Sequence, residues 1–154
     1  MTLDKFTIKA QEAVQEAVNT AQRNGQQTIE PTHLLAGVMA KAKDVTNFLF
    51  QKLGVNGQQI EMLIQQELKH LPRVQGGEPY LSSDANRVLL KAQDYAQKMG
   101  DEFVSCEPIL LALFTEGCRY YGKGLACRHS GTTPGTEGAV AEWRRELSES
   151  GEIR

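Results

Sequence analysis

The chain has 154 residues, 40% of them hydrophobic and 23% charged, with a net charge of -2 and a pI near 5.9. That size fits one domain with an ordinary core, and Lys and Arg interspersed with Asp and Glu along every helical stretch leave no electrostatic footprint for nucleic acid, so no nucleic-acid partner is expected. With no apolar run of about 18 residues and no charged-then-apolar N-terminal segment, neither a membrane span nor a signal peptide is predicted and a cytoplasmic protein is expected; the odd set Cys106, Cys118 and Cys127 fits reduced thiols.

Thr7 reads as a helix N-cap, because Ile8, Ala10, Val14, Ala17, Val18 and Ala21 follow at helical spacing until Gly25 ends the run. Glu30-Pro31-Thr32 is a second start, with Pro31 where its missing N–H costs nothing, and Leu34, Leu35, Val38 and Met39 form a buried stripe. Asp44 or Thr46 opens a short third helix through Phe48, Leu49 and Leu53. Gly54 stops it, and Asn56-Gly57 turns into a fourth helix carrying Ile60, Leu63, Ile64 and Leu68. Pro72 closes this unit, and Gly76-Gly77-Glu78-Pro79 is a linker-like stretch.

The text then repeats 75 positions on, without a gap. Ala10, Ala17, Ala21 and Gly25 recur as Ala85, Ala92, Ala96 and Gly100, and Ile29, Leu34, Leu35, Val38 and Met39 as Val104, Ile109, Leu110, Leu113 and Phe114. Ser82 and Ser83 cap a long helix with Ala85, Val88, Leu89, Ala92, Tyr95, Ala96 and Met99 inside, and Glu107-Pro108 begins the next. An all-α fold of two pseudo-repeats is predicted: repeat one over 1–72, a connector over 73–80, and repeat two over 81–116. Neither copy buries its apolar face alone, so the copies must dock, and the seam between them is the first place to look for a binding site.

After Glu116 neither a helical nor a strand period continues, although the first copy demands two more helices. Gly117 to Pro134 can be encoded so that reading one base later yields AAGITEKGLRAAIAELRR, which has turn-then-amphipathic-helix character. Residues 117–154 are therefore expected to be an irregular, out-of-frame tail, with a short helix over Val140 to Leu147, and repeat two to be incomplete. Two missing helices would uncover Val88, Leu89, Ile109, Leu110 and Leu113 and favour self-association, up to a nonfunctional relic.

Reactive chemistry is sparse. His33, alone at a helix start, reads as a structural hydrogen-bonding group rather than a base. Cys118, Cys127 and His129 match no zinc spacing, so no metal is expected, and Cys106 at a helix start lacks the partners of a nucleophile. Neither a Walker-type nor a dinucleotide-type glycine loop is present, so no cofactor and no catalysis are expected. Asp101, Glu102 and Glu107 form an acidic cluster between the second copy's helices, which reads as a solvated loop with a cap or as a recognition rim.

Taken together, FTIKAQEAVQEAV, NGQQTIEPTHLLAGVM, LPRVQGGEPYLS and MGDEFVSCEPILLAL resemble the N-terminal Clp repeat domain of ClpB-type chaperone ATPases, over Met1 to about Thr115. The resemblance implies two pseudo-repeats of four helices each, of which the second keeps two here. It implies a substrate-recognition module without catalysis of its own, attached to a homohexameric ATPase, that binds exposed apolar segments of unfolded or aggregated proteins in a groove between its repeats. Thr7, Asp101 and Glu107 match positions linked to substrate binding in that family. An adaptor-docking domain of the ClpA and ClpC type is the alternative, and QQTIEP and GGEPYLS favour the ClpB type.

Overall fold

Residues 3–53, 56–74 and 76–115, together with Arg145, are described by a computed structural model. In chain order they form α1 (Ile8–Arg23), β1 (Thr28–Ile29), α2 (Pro31–Lys41), α3 (Lys43–Leu53), α4 (Gly57–His70), β2 (Tyr80–Leu81), α5 (Ser83–Lys98) and α6 (Cys106–Thr115). The expected tail beyond Glu116 lies outside the described residues, Arg145 excepted.

The repeat is physical as well as textual. α1 and α5 are 16 residues each, and each begins with a hydroxyl cap: Thr7 Oγ1 accepts from the Ala10 N–H at 3.2 Å, and Ser82 Oγ from the Ala85 N–H at 3.0 Å. Both helices end on a glycine in the left-handed region, Gly25 at φ 69° and Gly100 at φ 76°, which a side chain would strain. Replacing either cap hydroxyl, Thr7→Ala or Ser82→Ala, should lower the unfolding free energy by about 1 kcal/mol. The caps share no partner, so urea titrations of both variants and the double variant should show near-additive losses.

What joins the copies is a pair of crossed contacts that two-residue strands are too short to announce by period. Phe6, before α1, makes a parallel bridge with Val104, before α6, and the Thr7 N–H donates to the Val104 carbonyl at 2.9 Å. Leu81, before α5, pairs in parallel with Ile29, before α2, and the Ser82 N–H donates to the Ile29 carbonyl at 3.0 Å. Each bridge links one copy's first helix start to the other copy's second, the signature of a pseudo-twofold.

Between the bridges lies the core. Ala10, Ala13, Ala17 and Ala21 of α1 meet α2, and Ala85, Val88, Leu89 and Ala92 of α5 meet α6. α6 is apolar almost all round, and α1, α2 and α3 pack on it as well as α5. This corrects the expectation of an uncovered inner face: Val88, Leu89, Ile109, Leu110 and Leu113 are all buried, and repeat one contributes neighbours to both α5 and α6. α3 also starts at Lys43, one residue before Asp44 and three before Thr46. Asp44 sits in its first turn, where a carboxylate suits the helix dipole, and the Thr46 hydroxyl turns back to donate to the Ala42 carbonyl at 2.7 Å.

Candidate functional site

The two bridges define two symmetry-related edges, and their side chains differ. At the Phe6–Val104 edge stand Thr7, Ile8 and Phe103. Ile8 is 77% exposed and Phe103 47% exposed, which is unusual for large apolar side chains so near a core contact. Their counterparts at the Ile29–Leu81 edge are Ser83 and Thr28, both polar, and the Thr28 hydroxyl donates to the Tyr80 hydroxyl at 3.0 Å. The second edge is also acidic: burial, and then the nearby Asp84 carboxylate, push the Glu30 carboxyl above its usual range, while a hydrogen bond with Ser82 opposes the rise. The first edge thus exposes two side chains without a polar atom, whereas the second exposes Tyr80, at 55%, with its hydroxyl bonded to Thr28.

Thr7 and Asp101 belong to that apolar edge. Thr7 caps α1 and hydrogen-bonds to Val104, three residues beyond Asp101; the half-buried Asp101 sits just after the α5 glycine, its N–H donating to the Ala96 carbonyl at 2.9 Å. Glu107 is placed differently. It is 1% exposed, in the first turn of α6, with its carboxylate inside the protein.

The symmetry breaks again at polar positions inside the loops. In repeat one the buried His33 accepts the Glu30 N–H at Nδ1, 2.9 Å away, so its proton resides on Nε2, which donates to Gln26 Oε1 at 2.7 Å. The Gln26 amide then donates to the Leu68 carbonyl, tying the entry of α2 to the end of α4. In repeat two the counterparts of Gln26 and His33 are Asp101 and Pro108. Proline cannot accept a neighbour's N–H through a side chain, nor offer its own. The buried Ser105 hydroxyl, just ahead of α6, accordingly has no hydrogen-bond partner among the described residues. The signal in the sequence is the pairing of His33 with Pro108 at the 75-residue offset; the structural role expected of His33 holds, with Gln26 and the Glu30 N–H as its partners.

Cys106 is buried, unlike a reactive thiol. Among the described residues no His, Cys, Asp and Glu cluster is placed to hold a metal, and no helix is long and apolar enough to cross a membrane. Cys118, Cys127 and His129 lie outside the described residues. Among the described residues, concave sites also lie away from the Phe6–Val104 edge. One, of about 340 Å³, lies where the connector folds over the end of α1, with the Val74 N–H donating to the Gly25 carbonyl. Another, of about 930 Å³, lies between α2 and α4.

The described residues thus form an all-helical tandem-repeat frame whose two copies are joined by crossed bridges. The chain belongs to the Clp repeat (R) N-terminal domain family, whose model matches residues 5–125 and so runs past Glu116. It is 60% identical over 115 residues to the chaperone protein ClpB of Bacteroides thetaiotaomicron, covering 75% of this chain and 13% of that protein. The chain thus spans a small fraction of the relatives it matches, and corresponds to their N-terminal, non-catalytic Clp repeat region rather than to an enzyme by itself. In fold it is similar to the Hsp104 N-terminal domain of Candida albicans, with a TM-score of 0.73 at 20% identity over 98% of this chain and 95% of that one. It is also similar to a ClpV N-domain in complex with a VipB peptide, with a TM-score of 0.66 at 17% identity over 77% of this chain and 72% of that one.

Proposed function

We propose that this domain captures exposed apolar segments of unfolded or aggregated proteins for a ClpB-type disaggregase, a homohexameric ATPase in its complete form. The observation that carries the reading is the exposure of two hydrocarbon side chains, Ile8 and Phe103, at the Phe6–Val104 edge, where the symmetry mate has Ser83 and Thr28 and its exposed Tyr80 has a hydroxyl bonded to Thr28. Thr7 and Asp101 form the polar rim of this edge, and Glu107 supports it from beneath. The peptide-bound ClpV N-domain of the same fold is compatible with peptide capture. Covering a few apolar side chains, at about 25 cal/mol per Å², yields several kcal/mol before the entropy of immobilising a chain is subtracted. Capture is therefore weak and sequence-tolerant, as a scanning module needs, and a carboxylate rim disfavours acidic segments.

Fluorescence anisotropy with a labelled, permanently unfolded model protein tests this. Phe103→Asp and Ile8→Asp should each weaken binding by about tenfold, while thermal melts stay within a few degrees because both side chains are exposed. Unchanged client binding in both variants, or binding of a folded Clp adaptor but not of the unfolded protein, would reject the reading in favour of adaptor docking.

A further inference from the structure

A second concave surface lies between α2 and α4 of repeat one. The groove between α2 and α4 has a floor of Met39, Met62 and Ile64, and Met62 is 63% exposed although it lies on a helix packed against the core. Methionine supplies soft, adaptable apolar surface. The entry of α2 is tied to the end of α4 through Gln26, so the two helices run antiparallel, and Lys43 and Lys69 stand at opposite ends of the groove. Neither lysine is paired with a carboxylate among the described residues; the nearby Asp44 is engaged by Lys9 at 3.6 Å. Glu61 is the one carboxylate on the lining.

We propose that this groove docks an amphipathic segment of a partner protein with acidic residues at both of its ends. Gln58 to Lys69 span about 16 Å along α4, enough for roughly three turns of a docked helix. The docked segment places an apolar stripe on Met39 and Met62 and one carboxylate on each lysine, an arrangement that desolvates little charge and selects by sign. This polarity is opposite to that of the Thr7–Asp101 edge, so the two faces sort different segments and can be occupied together. The inference does not depend on client capture at the apolar edge.

The test uses the full chain and labelled helical peptides of about twelve residues, with leucines at i, i+3, i+4 and i+7 and either glutamates or lysines at both ends. By anisotropy the glutamate-ended peptide should bind at least about tenfold more tightly than the lysine-ended one, with the difference shrinking between about 0.05 and 0.5 M salt. The double variant Lys43→Gln, Lys69→Gln should abolish that preference. Met62→Asp should weaken the glutamate-ended peptide by about tenfold with an unchanged melt, and Phe103→Asp should leave it alone. Equal binding of both peptides, no binding at millimolar concentration, or loss on Phe103→Asp with Met62→Asp silent would overturn the proposal. So would concentration-dependent dimerisation in sedimentation velocity that Met62→Asp removes, since the groove would then belong to a second copy.

Discussion

Gly37→Ala destabilises this domain by about 2 kcal/mol or more, although the same change in an exposed helix gains about 1 kcal/mol. Gly37 sits in the middle of α2, facing α1, and a Cβ there would collide with the Ala13 carbonyl oxygen and stand 3.0 Å from the Ala17 nitrogen. Both obstacles are backbone, so no rotamer change relieves them; the helices must separate and lose the contacts of a face built from Ala10, Ala13, Ala17 and Ala21. Repeat two solves the same crossing differently, with Ala112 and Val88 at the positions of Gly37 and Ala13. Gly57→Ala is the control. Its Cβ would meet only Phe50, at 3.5 Å, an ordinary contact at the start of α4, so the change should be neutral or slightly stabilising. Thermal unfolding followed by circular dichroism separates the cases, since about 2 kcal/mol corresponds to roughly 6 to 8 °C in Tm for a domain of this size. A stabilised Gly37→Ala variant would mean that α1 and α2 are further apart than described.

Much of this architecture can be read from residue order, and the parts that cannot share a cause. The caps at Thr7 and Ser82, the glycines at 25 and 100 and the alanine faces of α1 and α5 are local patterns, fixed within one or two helical turns, and they appear where the 75-residue offset places them. The crossed bridges are not legible, because a two-residue ladder carries no period and its partners lie in different copies. The link from Gln26 to Leu68 spans 42 positions, beyond any local signal. The burial of α6 is not legible for the same reason: α1, α2 and α3 of repeat one pack on it, and those contacts are long-range. Of the residues proposed for recognition, Thr7 and Asp101 fall at the first edge; Ile8 reads in the sequence only as one apolar position of the α1 run and Phe103 carries no local signal, since single apolar residues beside a helix start are commonplace.

Acidification unlatches the link between α2 and α4. Burial holds the His33 imidazole at a pKa of about 4, below its usual 6.5. The geometry gives the same direction: Nδ1 already accepts the Glu30 N–H, and a second ring proton would face that donor with nothing to receive it. The sign follows from proton counting. Between pH 6.5 and about 4 the unfolded chain binds a proton that the folded one refuses, so the stability present above pH 6.5 is lost progressively as the pH falls towards 4. The loss totals on the order of 3 kcal/mol. Glu30 opposes it, since a carboxyl held above its usual range is relieved by protonation, so the net change in the native chain is smaller than the imidazole's share. Comparison with His33→Gln isolates that share. The variant is less stable near neutrality, by about 1 to 3 kcal/mol for the altered hydrogen bonds, but it lacks the proton-linked loss. Urea titrations at about pH 7 and pH 4.5 should therefore show the native chain losing about 2 kcal/mol more than the variant. Equal losses in the two proteins would place the buried imidazole outside the acid response and leave the carboxylates to account for it.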